Sequence, residues 1–314
     1  LHRESLLDEW KKVNRTVSLT IDNTGSTSGK YNVEVLSLST TNTISNLIIT
    51  TKATRVLTAL TSVKHRLNPQ STTLFTQNGM GIFRTSDEAN KSLKHQLKDA
   101  GTFIGAINTH GIFSNGPFSS TLAGKANLTI SSPTKLSKPS SAFVNLLTSS
   151  DILNADIIPW PEFLLRKLEK LAINACINPL TALLTCKNGE LLTRPPIIQL
   201  TRLLLSEISQ LLQCLPVILT ISNSANSLEF DIPTRFSAEE LEQKVVEVAK
   251  QTAANTSSML QDVQAGRETE IEFITGYLLK RGRECGVDMP VNEQVYNMVK
   301  AGRSLKVEDV KAVL

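Results

Sequence analysis

Within "KLAINACINPL", residues 170–180, an ammonium and two carboxamides recur at steps of four: Lys170, Asn174 and Asn178. In a helix, each step of four advances about 40° beyond a full turn, so the three groups form a slowly drifting stripe. Leu171, Ile173 and Ile177 between them favour burial. An ammonium is expensive to bury unpaired, so the stripe faces either water or a polar ligand. The water reading is weakened by Lys167 and Glu169, which already offer exposed, solvated candidates on other sides. Pro179 follows Asn178 directly; it lacks an N–H and predicts a break in the helix beside the stripe. A positioned ammonium can stabilise charge developing on a carbonyl oxygen and donate the proton that quenches it.

Two other stretches carry groups of the same kind. In "TSSMLQDVQAGRETEIEF", residues 256–273, Ser258 with Gln261 and Thr269 with Glu272 fit two capping boxes. Glu270 is then an ordinary first-turn acid. A serine at such a helix start, with free backbone N–H groups, also suits a carboxylate. In "TQNGMGIF", residues 76–83, an Asn-Gly turn follows a predicted strand. It reads as a simple turn, or as a turn at the strand end where nucleotides bind in parallel sheets.

The elements that position these groups differ between the two halves of the chain. "RTVSLTID" (15–22) and "YNVEVLSL" (31–38) read as strands joined by a turn-rich "NTGSTSGK". "NLIITTK" (46–52), a helical stretch with Val56, Leu57, Leu60, Val63 and Leu67, and "TTLFTQNG" (72–79) form a strand–helix–strand crossover, hence a parallel pair. "GTFIGAINTHGIF" and "KANLTISS" read as further strands, and "SSPTKLSKPSS" (131–141) as a loop. After "DIIPWPEF" (156–163) helices dominate. Residues 163–177 and 197–213 are periodic. Ser237 with Glu240 starts a helix over 237–256, with Phe236 and Leu241 as its staple. Another helix over 270–285 closes at Gly286. The expectation is an α/β domain over 1–161 and an all-helical domain over 162–314.

The totals suit this division. The chain has 314 residues, room for about two domains. A net charge of +4 without a long basic block gives no case for nucleic acid. No segment is long and apolar enough to predict a membrane span. Four cysteines without CxxC spacing favour reduced thiols and a cytoplasmic setting, and no metal-ligand spacing joins them to the four histidines.

Taken jointly, "TTKA" (50–53), "QNGMG" (77–81), "KLAINACINPLTALL" (170–184), "NGEL" (188–191) and "TSSMLQDVQAGRETEIEFITGYL" (256–278) resemble the ketopantoate reductase family (2-dehydropantoate 2-reductase). The resemblance implies a Rossmann-type domain followed by a helical domain, with the active site in the cleft. It implies reduction of the 2-keto group of ketopantoate by NADPH, giving pantoate for pantothenate and coenzyme A synthesis. By the same resemblance Lys170 and Glu270 are catalytic, and Asn174, Asn178 and Ser258 bind substrate. Lys52, Asn78 and Arg3 face the cofactor. Small-molecule substrate is the partner implied, with a homodimer as the candidate assembly.

One part of the family pattern is not met. Family members begin with a strand and a G-x-G-x-x-G phosphate turn, and none of the fifteen glycines forms that spacing. The expectation is therefore a Rossmann-type domain truncated at its start, lacking its first strand, its pyrophosphate turn and much of its first helix. NADPH binding is expected to suffer. Two alternatives stay open: a same-fold reductase of another 2-keto acid, and a cofactor-deficient, non-catalytic binding protein.

Overall fold

The computed structural model describes residues 6–34, 39–80, 100–222 and 231–312. Contacts gather the chain into two compact units: Leu1–Thr51, Arg55–Gln77 and Thr85–Trp160 in one, Lys52–Thr54, Asn78–Arg84 and Pro161–Leu314 in the other.

The first unit holds nine strands among its described residues, in two sheets: β1 (Ser18–Ile21), β2 (Thr24–Thr27), β3 (Asn46–Ile49), β4 (Thr72–Phe75), β5 (Thr102–Asn108), β6 (Gly111–Gly116), β7 (Ser119–Gly124), β8 (Leu128–Ser131) and β9 (Ala155–Ile157). The larger sheet has the order β3-β4-β5-β8-β9 and the smaller β2-β1-β7-β6. Three helices accompany them: α1 (Leu7–Lys12), α2 (Val56–Val63) and α3 (Lys138–Thr148).

The crossover expected over 46–79 is present. Strands β3 and β4 pair in parallel, with Asn46 opposite Thr72 and Ile49 opposite Phe75, and β4 pairs β5 in parallel. All four residues of β4 are buried, as a central strand requires. Between the two strands, α2 buries Val56, Leu60 and Val63 but leaves Leu57 exposed. Leu74, Ile104, Ala106, Leu128 and Ile130 pack against Phe143, Val144 and Leu147 of α3.

Several expectations give way in this unit. "NTGSTSGK" contains β2 rather than only a turn. Asp22 and Asn23 both take positive φ (49° and 62°), the tight hairpin conformation that lets β2 fold straight back onto β1. Residues 31–34 are not a strand, and 35–38 lie outside the described residues. The supposed loop over 131–141 ends in α3, where the Ser137 hydroxyl accepts from the Ser140 N–H and Pro139 takes an early helical position.

The second unit is helical: α4 (Trp160–Leu184), α5 (Pro195–Cys214), α6 (Pro216–Ser222), α7 (Ile232–Arg235), α8 (Ala238–Gln251), α9 (Ser258–Gln264), α10 (Thr275–Cys285) and α11 (Pro290–Lys300). Among the described residues no single helix is long and apolar enough to cross a membrane. Helix α4 is the core element. Phe163, Leu165, Leu168, Leu171, Ala172, Ala175, Cys176, Leu180 and Leu183 are almost fully buried, so it is packed on nearly every side. That enclosure explains why the break expected at Pro179 does not occur: the helix runs on to Leu184 with Pro179 inside it. One missing N–H costs one hydrogen bond, and packing around the buried turn outweighs it.

Helix α8 starts as expected. The Ser237 hydroxyl accepts from the Glu240 N–H at 3.1 Å, with Phe236 and Leu241 both buried. Helix α10 ends at Gly286 in the left-handed conformation (φ 71°). The Thr269–Glu272 capping box is absent. Residues Ile271–Phe273 form a 3-10 turn, α10 starts at Thr275, and the Glu272 carboxylate instead accepts from the Tyr296 hydroxyl and Lys300 on α11.

Candidate active site

Helix α4 carries the stripe. Lys170 and Asn174 are half-buried, and Asn178 is buried. The reading that Lys167 and Glu169 occupy solvated sides is overturned. Lys167 is 6% exposed, with its ammonium 5.8 Å from the centre of the Phe163 ring. Seven residues separate it from Asn174, which places both on nearly the same face, so the stripe begins one turn earlier than expected. Glu169 is held by a two-pronged hydrogen bond from Arg235 (3.0 Å each) and by Lys244. Arg235 also grips Glu162 at the start of α4. This network fastens α4 to α7 and α8 away from the stripe.

Burial dominates the electrostatics of the two lysines. Desolvation pushes the Lys170 pKa down to about 8, while the Glu270 carboxylate pulls the other way. Lys167 is pushed further, to about 7, by burial and by the charge on Lys170. An amine near 8 is still mainly protonated at neutral pH and releases its proton far more readily than an ordinary lysine.

Glu270 sits in the turn just before Ile271–Phe273. Its carboxylate accepts from the Ala53 backbone N–H at 2.9 Å, which joins the short 52–54 segment to the Glu270 turn. Beside it, the Lys52 ammonium lies 2.7 Å from the Asp262 carboxylate and donates to the Glu268 carbonyl at 2.9 Å. Arg267 closes on the other oxygen of Asp262 at 3.0 Å. The turn holding Asn78 reaches the same place. Gly79 has φ 75°, and a Cβ there would lie 2.4 Å from the Phe273 carbonyl oxygen. Only glycine permits that approach.

The start of α9 completes the group, one residue from where it was expected. The capping residue is Ser257, whose hydroxyl accepts from the Leu260 N–H at 3.1 Å. Ser258 is the first helical residue and is exposed. Ser257 also hydrogen-bonds the Thr181 hydroxyl at 2.7 Å, one turn beyond Asn178 on α4. Buried and without water to compete, this bond fixes the start of α9 to the stripe.

The structure thus links Lys170 with Glu270, Glu270 with the Lys52–Ala53 segment, the Asn78–Gly79 turn with Phe273, and the α9 start with the end of the stripe. Arg3 lies outside the described residues. Three neighbours were not singled out from the sequence: Lys167, Ser257 and Asp262. Helical angle would have found Lys167. Ser257 and Ser258 are indistinguishable as caps by type, and Asp262 is recognised only by what folds against it.

Residues 5–135 match the family model for ketopantoate reductase PanE/ApbA, and residues 162–303 match that for the C-terminal part of the same family. The chain is 32% identical to the probable 2-dehydropantoate 2-reductase of Schizosaccharomyces pombe over 269 residues, 82% of this chain and 74% of that one. It is 34% identical to the 2-dehydropantoate 2-reductase of Vibrio cholerae over 262 residues, 81% and 76% of the two chains. Similarity extends to ketoisovalerate reductase BEA2 of Gibberella fujikuroi, 29% identical over 276 residues, 79% of this chain and 61% of that one. In three dimensions it is similar to the probable 2-dehydropantoate 2-reductase panE of Bacillus subtilis, with TM-score 0.66 and 26% identity, covering 96% and 90% of the two chains. A dimeric ketopantoate reductase from Staphylococcus aureus shares the fold at TM-score 0.67 and 18% identity, covering 92% and 87%. With both halves matched in order and relatives above 30% identity over most of their length, the chain belongs to the ketopantoate reductase family.

Proposed function

We propose that the protein reduces the 2-keto group of ketopantoate to give pantoate, with NADPH as cofactor, in pantothenate and coenzyme A biosynthesis. The observation that carries this reading is a half-buried amine, Lys170, electrostatically paired with Glu270, on a polar stripe of an otherwise apolar core helix.

Lys170 donates a proton to the substrate's keto oxygen as charge develops there. Burial has made its ammonium a stronger acid than usual, and Glu270 keeps it charged at neutral pH. Asn174 and Asn178 offer carboxamides to the keto and hydroxyl oxygens, and the Ser258 hydroxyl is the donor to the carboxylate. Thr181 and Ser257 hold Ser258 in register with the stripe. Towards the cofactor the chain offers Lys52 and Asn78, each three residues beyond the end of paired parallel strands, where nucleotides bind in such sheets. Lys52 is 37% exposed at its side chain and remains reachable while paired with Asp262. Bound NADPH supplies the hydride. A G-x-G-x-x-G turn is not in this sequence, so no phosphate-binding role is given to any glycine. In this reading residues 1–161 serve the cofactor and 162–314 the keto acid, Arg3 faces the cofactor, and the assembly is a homodimer like that of the Staphylococcus aureus enzyme. A cytoplasmic setting suits four cysteines without disulfide spacing.

The test is Lys170→Ala, assayed by loss of NADPH absorbance with ketopantoate, with circular dichroism to show the fold retained. Turnover should fall by about 10²–10⁴-fold. A near-normal rate would reject the role. A second reading, reduction of 2-ketoisovalerate, is favoured by the similarity to BEA2. Comparing kcat/KM for the two acids separates them, because a site built to hydrogen-bond a hydroxyl discriminates strongly against an analogue without one.

A further inference from the structure

The four cysteines are all free thiols, and two of them, 71 residues apart in the chain, lie against each other. Cys214 is the last residue of α5 and Cys285 the last of α10. The Cys285 thiol points at the Cys214 carbonyl oxygen, 4.0 Å away, and the two side chains interact electrostatically. The Cys214 thiol in turn donates to the Leu211 carbonyl at 3.2 Å. Both residues are half-buried, so a small reagent can reach them. The other two differ: Cys176 is sealed inside α4, and Cys186 lies just past its end.

We propose that Cys214 and Cys285 form an intramolecular disulfide site, closed by thiol–disulfide exchange with a small-molecule disulfide. Two thiols this near each other need side-chain rotation to reach the bonding distance of about 2.05 Å, and helix ends can yield more than helix interiors. The order of events follows from the environments. The Cys214 thiol is tied to the Leu211 carbonyl at 3.2 Å and the Cys285 thiol only loosely held at 4.0 Å, so Cys285 is the first to attack. The Cys285 thiolate attacks one sulfur of the oxidant, forms a mixed disulfide and expels one small thiolate. Cys214 then loses its proton and attacks the Cys285 sulfur, expelling the second thiolate. Two protein thiols give up two protons and two electrons, and one small disulfide becomes two small thiols.

The bond would tie α5 to α10 and enclose the chain from 214 to 285, which includes Ser258, Asp262 and Glu270. Cross-linking a loop of that length removes much freedom from the unfolded chain, so the oxidised protein should resist denaturation more than the reduced one. This site does not depend on the catalytic reading of the previous section.

The experiment uses the whole chain and oxidised glutathione as the probe, at pH 8, followed by alkylation under denaturing conditions and peptide mass mapping. The expected result is two alkylatable thiols instead of four, a Cys214–Cys285 cross-linked peptide, and a melting temperature raised by several degrees and returned to baseline by dithiothreitol. Cys214→Ser should lose the cross-link and accumulate the glutathione adduct on Cys285. Four alkylatable thiols after treatment, a wild-type chain that stops at the glutathione adduct, or a cross-link between any other pair would each overturn the proposal.

Discussion

Replacing Glu270 by Gln tests the electrostatics of the site with little change of shape. The amide oxygen can still accept from the Ala53 N–H, so the contact between the 52–54 segment and the Glu270 turn is kept. What disappears is the negative charge that raises Lys170 against the effect of burial. A carboxylate in the immediate neighbourhood of an ionisable group is worth roughly one to three pH units. Lys170 stands at about 8 in the native protein, so about nine-tenths of it is protonated at pH 7. A fall of about one pH unit leaves half protonated, and a fall of about three leaves on the order of one hundredth. The amine must be protonated to act as an acid, so activity is lost as pH rises through its pKa. In the Gln variant that loss comes at lower pH. The assay is kcat/KM for ketopantoate between pH 5.5 and 9.5 at constant ionic strength, read from NADPH absorbance. The alkaline limb should move towards acid, with twofold to about hundredfold lower activity at pH 7 and recovery as pH falls. An alkaline limb that stays where it was, or an equal loss at every pH, would refute the electrostatic account of Glu270.

Other substitutions probe the supports of the site. Lys167→Met should raise the melting temperature, because a buried lysine at about 7 rather than 10.5 costs the fold a few kcal/mol. The unfolded chain binds the extra proton between those two values, so the gain should be full below about pH 7 and fade towards 10.5 in thermal melts across that range. Gly79→Ala should destabilise by roughly 1–3 kcal/mol in urea denaturation, since the new methyl meets the Phe273 carbonyl and the backbone there is left-handed. An unchanged denaturation midpoint would contradict that packing. Thr181→Val removes the buried bond to Ser257 and should cost about 1–2 kcal/mol. It should also raise KM for the keto acid more than it lowers kcat, because it loosens the Ser258 helix rather than the amine; the reverse pattern in steady-state kinetics would contradict this.

Local elements with short-range signals were legible in the residues alone. Apolar runs and the spacing of Val56, Leu60 and Val63 were enough for the parallel β3–α2–β4 crossover, and Ser237 with Glu240 for the start of α8. The stripe on α4 was legible because helical periodicity is a property of the chain alone. Its family membership was also readable, since the motifs of both halves are linear. Tertiary structure decided the rest, through energies that do not reside in any one segment. Pro179 sits inside a continuous helix because the surrounding core encloses it. Thr269 and Glu272 fit a cap by type, yet Glu272 bonds α11 instead. Lys167 is a charged residue held inside, and its low pKa reflects everything packed around it. The joining of Ala53 to Glu270 and of Lys52 to Asp262 spans more than two hundred residues. Such pairs form only when folding brings distant segments together.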